Sequence, residues 1–285
     1  STPRRPLQGD AAGLRSLVTV RLASAFQVSE VNPLLGLHGR ATLLRRLGEA
    51  LQEQPEIFGE QGPARPGGLF DELVGPFGPA APPTAEVSAH EILTLLLDTL
   101  SGIGPPPNSM DSLAPAASDP PGRIPSGDPA LALGDCWRHS AVEGPGLTRG
   151  WMPFHKLSQW LTYSLLEPFE WAGVKVRGLD ALTGLPEYRN GGLFLDTGVL
   201  VPRDPAFMDR TWKVGDEFIV EWRALTVALL DELAPRVRRQ MNRTDAQLPL
   251  ACVLEGGSWA TGRALAQRLR DGAPPIQIES DGTVF

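Results

Sequence analysis

Apolar residues recur at spacings of three and four along several stretches of the chain, and runs rich in Pro and Gly separate those stretches. In "AAGLRSLVTVRLASAFQ" (11–27), Leu14, Leu17, Val18, Leu22 and Ala25 follow this spacing. In "HGRATLLRRLGEALQEQ" (38–54), Leu43, Leu44, Leu47 and Leu51 repeat it. Both patterns predict amphipathic helices. "SAHEILTLLLDTL" (88–100) predicts a third, with Ser88 as N-cap and Gly102 just past its end.

Three more helices are expected further on. The segment 153–171 opens with Pro153, a residue suited to a first helical position. The segment 214–241 carries the strongest helical pattern, and 248–270 is expected to kink at Gly256-Gly257. The ending "PPIQIESDGTVF" reads as one strand or an extended tail. Residues 59–86 and 101–150 are crowded with Pro and Gly, which suits surface loops, or else a long loop covering a site. No internal repeat is found. The pattern predicts one mainly α domain over 1–285, with long Pro/Gly-rich loops and few short strands.

Composition narrows the picture. A chain of 285 residues buries roughly three-quarters of its unfolded surface. A net charge of −7 argues against general binding to nucleic acid or an anionic membrane. Cys136 and Cys252 are the only cysteines and the 4 histidines are scattered, so the usual metal-ligand spacings are missing and neither metal nor cofactor is expected. Two lone cysteines, no apolar run of membrane-spanning length and no signal-peptide pattern point to the cytoplasm. Residue 1 is Ser rather than Met, so it need not be the natural start. All 7 tryptophans fall between 137 and 259, together with both tyrosines. Aromatic residues dominate cores and pockets, so this part of the chain is expected to form the core and hold any site.

The candidate chemistry lies in polar residues set among apolar ones. From Phe218 to Leu230, Glu221, Arg223 and Thr226 interrupt an otherwise apolar surface, and Glu217 lies just ahead of it. Glu217 and Glu221 share a face, whereas Arg223 points away from them and needs a partner from another segment. In 153–171, His155, Gln159 and Thr162 form a polar stripe beside Lys156, Trp160 and Tyr163. "LTGLPEYRNGGLFLDTGVL" (182–200) brings Glu187, Tyr188, Arg189, Asn190 and Asp196 into a Gly-rich apolar run, and "VLEGGSWATGR" (253–263) adds Glu255 and Trp259. A buried structural ion-pair network explains such residues, and so does a ligand pocket.

Five stretches, "PFHKLSQWLTYSLLEPFEWAG", "LTGLPEYRNGGLFLDTGVL", "VGDEFIVEWRALTVALLDEL", "EGGSWATGR" and "IESDGTVF", together resemble the uracil-catabolism protein family of the URC pathway. The match runs from about "FQVSEVNPLLGLHGR" (26–40) to the C-terminus. The resemblance implies that a longer N-terminal region precedes this part in other members. A weaker likeness is to the queuosine-salvage N-glycosidase family, through the order HK-x-x-Q, a Tyr-Arg pair, and an acidic segment leading into E-x-R-A. That family is mainly α and is likened to helical DNA glycosylases. It carries Asp where this chain has Glu187, and other residues where this chain has Asn190-Gly191-Gly192, which implies a different base.

Together the resemblances imply cleavage of ribosylurea, or its 5′-phosphate, to urea and ribose or ribose phosphate. The non-catalytic alternative is a binding or regulatory protein of the same pathway. Partners would be a small ribosyl substrate and other enzymes of uracil catabolism. N-ribosidic cleavage passes through an oxocarbenium-like transition state. Glu187 would serve as general base or as electrostatic stabiliser, and Arg189 or Asn190 would support the leaving urea. Lys156 and Arg223 would bind a phosphate. Glu217, Glu221 and Asp196 would bind ribose hydroxyls or the urea NH₂. Trp160 and Tyr188 would wall the pocket, with His155, Gln159, Glu255 and Trp259 completing it. The charges of Arg189 and Lys156 are expected to hold the Glu187 carboxyl low.

Overall fold

The computed structural model describes residues 9–59, 62–75, 85–103 and 133–279. These residues are mainly helical. The first expected helix is two, α1 (Ala11–Arg15) and α2 (Thr19–Ala25), because the backbone is extended at the β-branched Val18 between them. They pack on α3 (Leu37–Glu53). After the short α4 (Pro55–Phe58) and α5 (Gly68–Val74) comes α6 (Ala89–Leu100). Ser88 caps α6 as expected: its hydroxyl accepts from the Glu91 amide at 3.1 Å, and the Glu91 carboxylate accepts from the Ser88 amide at 2.7 Å.

Among the described residues the strands are three residues each and form three separate pairs. β1 (Glu86–Ser88) lies parallel to β4 (Lys175–Arg177), β2 (Cys136–Arg138) lies antiparallel to β3 (Trp151–Pro153), and β5 (Thr211–Lys213) lies parallel to β6 (Gln277–Glu279). Pro153 therefore ends a strand instead of opening a helix, and α7 (Lys156–Trp171) starts three residues later. The end of the predicted loop 101–150 contains β2, while its stretch 104–132 lies outside the described residues, as does the tail beyond Glu279.

The second half is built on α8 (Tyr188–Asp196), α9 (Glu217–Met241), α10 (Leu250–Val253) and α11 (Ala260–Arg270). A π-helical turn, Leu254–Trp259, joins α10 to α11 where a kink was expected. Gly256 and Gly257 make no close approach there. The close approach is at Gly262, where an added Cβ would sit 2.1 Å from the backbone oxygen of Arg189. Gly191 is similarly tight: its Cβ would lie 2.7 Å from Thr226 Oγ1 and 2.8 Å from the Trp222 ring. These two glycines let α8 sit between α9 and α11. Gly262→Ala is expected to lower stability by about 1–3 kcal/mol through overpacking, whereas Gly256→Ala, which meets open space, should not. Thermal melts of the two variants give the comparison.

The largest hydrophobic cluster belongs to the N-terminal half and not to the tryptophan-rich centre. It gathers Ala11, Leu51, Phe58, Leu69, Val87, Ile92, Leu96, Phe169 and Val174. Trp212 and Trp222 are buried in a second cluster with Ile219 and Ile276, but Trp160 and Trp171 are 56% and 79% exposed. The packing of α7 against α9 is local only. α7 backs onto α6, and it meets the α9 side of the molecule through Tyr163, which joins the cluster of Phe194, Leu230 and Leu254. That leaves the start of α7, the start of α8, β2 and the second turn of α9 facing a common polar interior.

Candidate functional site

Arg223 is the organising cation, 1% exposed on an apolar stretch of α9. Its partner is Asp135, just ahead of β2. Arg223 Nη1 and Nη2 donate to the two Asp135 carboxylate oxygens at 2.8 and 2.7 Å, and Nε donates to the Pro186 carbonyl at 3.3 Å. The guanidinium also lies 4.1 Å from the centre of the Phe154 ring. A planar fork meeting a carboxylate in this way satisfies charge and geometry together, which a buried arginine requires. The sequence demanded such a partner for Arg223 but did not name it.

Asp135 accepts more than Arg223. The Trp137 indole N–H donates to its Oδ1 at 2.6 Å, and the Lys156 amide donates to Oδ2 at 3.0 Å. Its backbone oxygen accepts from the amides of Phe154 and His155 at 2.9 and 3.1 Å. The chain can make this turn because His155 takes a left-handed conformation, with φ of 47°. Burial works to raise the Asp135 carboxyl, but the hydrogen bond and charge of Arg223 outweigh it and hold the group below its ordinary range. A carboxyl lowered in the folded state adds stability above its unfolded value, near 3.9, and that contribution is lost as pH falls through the folded value. Urea-denaturation midpoints are therefore expected to fall as pH drops below about 4, and Asp135→Asn should flatten that slope.

Next to this pair lie Lys156 and Glu187. Lys156 is the first residue of α7 and is buried. Glu187 is the N-cap of α8, and its carboxylate accepts from the Asn190 amide at 3.3 Å. Burial raises the Glu187 carboxyl above its ordinary value, although the charges of Lys156 and Arg189 pull it down. This reverses the sequence expectation: loss of water around the carboxylate outweighs its cationic neighbours. Burial also lowers the Lys156 ammonium, with Glu187 and Asp135 opposing that shift and Arg223 adding to it. A carboxyl shifted up beside an ammonium shifted down brings the two groups closer in proton affinity, which suits the pair to proton transfer.

Arg189 extends over the rings of Tyr188 and Trp259, at 5.0 and 4.9 Å from their centres. The π-helical turn aims Trp259 at it, and also lets Ser258 Oγ donate to Asn190 Oδ1 at 2.9 Å. Asn190 Nδ2 donates to the Leu185 carbonyl at 3.0 Å, and the residue is completely buried. Its amide thus holds α8 in place. Gln159 is buried too, its Oε1 accepting from the Thr183 amide at 3.2 Å. His155 is half-buried, and burial lowers its imidazole against the opposing charge of Asp135.

Other expected site residues are not gathered with Glu187. Glu217 is exposed and binds Ser140, accepting from its amide at 2.6 Å and its hydroxyl at 3.1 Å. Glu221 is exposed, 4.0 Å from His139 Nε2. Asp196, at the far end of α8, pairs with Arg270 at 2.7 Å. Glu255 lies on an exposed part of the π-helical turn, and Trp160 faces outward, away from the wall it was expected to form. The shared helical face placed Glu217 and Glu221 together correctly, but spacing alone does not say which face meets solvent. Two clefts, of about 140 and 160 Å³, lie apart from Lys156 and Glu187. The second is lined by residues that include Arg203, Phe207, Phe218, Glu221 and Trp222. Among the described residues no group of three His, Cys, Asp or Glu side chains is placed to share a metal ion, and no helix is long and apolar enough to cross a membrane.

A family model described as "Protein of unknown function (DUF1688)" matches residues 1–285. The chain belongs to that family. It is 38% identical over 289 residues to "Protein urg3" of Schizosaccharomyces pombe, a match covering 100% of this chain and 63% of the relative. It is also similar to "Uracil catabolism protein 4" of Lachancea kluyveri, 39% identical over 296 residues, covering 95% of this chain and 62% of the relative. The chain thus spans less than two-thirds of the length of either relative.

Proposed function

We propose that this chain takes part in uracil catabolism and hydrolyses the N-glycosidic bond of ribosylurea or its 5′-phosphate. Its similarity to a protein named for uracil catabolism supports the pathway. The observation that carries the reaction is the meeting of Lys156 and Glu187 in the interior, each shifted by burial and each acting on the other. They come from separate motifs that resemble a glycosidase family in order, with Glu187 standing where that family carries Asp.

In this reading Glu187 takes a proton from water as the water oxygen bonds to C1′. The C1′–N bond breaks and its electron pair passes to the urea nitrogen, which is protonated. A raised carboxyl is a stronger base than an ordinary glutamate, and it gains most from losing its isolation when a cation develops at C1′. Lys156 supplies the nearby charge that balances the carboxylate, and it can return a proton to the leaving nitrogen. Arg189, steadied by Tyr188 and Trp259, is suited to the urea carbonyl. The rate should fall as pH drops through the raised Glu187 value, so the acid limb of kcat/KM lies above the ordinary glutamate value of about 4.3. The test is incubation with ribosylurea and with its 5′-phosphate, following urea. Release from either supports the reading, and release from neither rejects it.

One observation favours binding without turnover. The cleft beside Phe207, Phe218 and Trp222 is separate from Glu187. Calorimetry that finds ribosylurea bound at that cleft, sensitive to Trp222→Ala but not to Glu187→Gln, would support a binding or regulatory role.

A further inference from the structure

We propose that Asp135 is a positioning residue for the Lys156–Glu187 pair, pinning the first turn of α7 and offsetting the charge of Arg223 beside it. The inference rests on reading that pair as the reacting site, but its test needs no substrate.

Two features of Asp135 carry it. Its backbone and side chain together accept from three successive amides, Phe154, His155 and Lys156, at 2.9, 3.1 and 3.0 Å. That fixes where α7 begins and so where the Lys156 side chain starts. Its carboxylate also meets both terminal nitrogens of Arg223, at 2.8 and 2.7 Å. One residue therefore sets the position of Lys156 and offsets part of the effect of the competing cation next to it. The charged groups acting on Lys156 are Glu187, Arg223 and Asp135, and burial by the surrounding helices strengthens each effect. Without Asp135, Arg223 would repel the Lys156 ammonium and drive its proton off. With Asp135 in place, Lys156 is the cation that answers to Glu187. Trp137, whose indole N–H donates to Asp135 at 2.6 Å, holds the carboxylate from the strand side.

The chain has only three lysines, Lys156, Lys175 and Lys213, and Lys175 and Lys213 are exposed. Labelling lysine with ¹³C at Cε gives three NMR signals, assignable by Lys→Arg variants. In the wild type the Lys156 signal should titrate at lower pH than the other two. In Asp135→Asn it should move lower still, by about one pH unit or more, as an uncompensated charge close by produces. Loss of structure would do the opposite and bring Lys156 up to join Lys175 and Lys213. An unchanged Lys156 titration in folded Asp135→Asn overturns the proposal. If that variant does not fold, the double variant Asp135→Asn, Arg223→Gln removes both charges together. Lys156 should then titrate close to its wild-type position. A double variant in which Lys156 titrates with the exposed lysines would show that Asp135 only holds the fold, and would also overturn the proposal.

Discussion

Glu187→Gln should release urea from ribosylurea 5′-phosphate about 10²–10³-fold more slowly than the wild type at saturating substrate, as loss of one electrostatic partner of a developing charge typically does. The change keeps the side-chain length and leaves a carbonyl oxygen to accept from the Asn190 amide, so the start of α8 is retained. Substrate affinity should change little. The stability of this variant has a definite sign. A carboxyl raised in the folded state contributes its stability below the unfolded value, and loses it as pH rises through the folded value. At neutral pH the buried charge of Glu187 is therefore a cost to the fold, and removing it should leave the midpoint of denaturation equal or higher. A residue whose loss lowers turnover without lowering stability is serving the reaction. Equal rates in wild type and variant would show that another group is the base.

Arg223→Met should be the most damaging single change to the fold, costing about 3–5 kcal/mol, because it leaves the Asp135 carboxylate buried without its bidentate partner. The methionine matches the arginine stem in the apolar part of the site and still packs against Phe154. The loss therefore comes from the stranded charge and not from a hole. The double variant Arg223→Met, Asp135→Leu should recover much of that loss, since exchanging both members of a buried pair for apolar groups is often close to neutral. Denaturant titrations of the two variants at neutral pH measure the difference. If the single and double variants are equally unstable, the pair is not what holds β2 to α9.

The helices were legible in the sequence because their apolar spacing is a local signal. Ser88 with Glu91, the pattern through Leu43 and Leu51, and the long run from Phe218 to Leu230 are each complete within one segment. The site was legible only in part. Glu187, Lys156 and Arg189 stood out as charges in apolar surroundings, and such charges need partners. Arg223 announced a missing partner by the same logic. Asp135 did not stand out, because it lies in "LGDCWRH", at the end of a Pro/Gly-rich run where a polar residue is ordinary, and only tertiary packing makes it central. The strand ending at Pro153 was read as a helix start for a related reason. A proline fits both roles, and the pairing with β2 that decides between them is not local. The balance between burial and charge at Glu187 also depends on how many atoms surround the carboxyl, which residue order does not give.

In the proposed reaction the Lys156–Glu187 site directs water to C1′ and releases the urea intact. Ribosylurea 5′-phosphate labelled with ¹³C at the urea carbonyl tests it by product identity. Cleavage at C1′ delivers the label as free urea, and Glu187→Gln should slow its appearance. Label recovered as bicarbonate, or retained in unreacted substrate, would contradict the account.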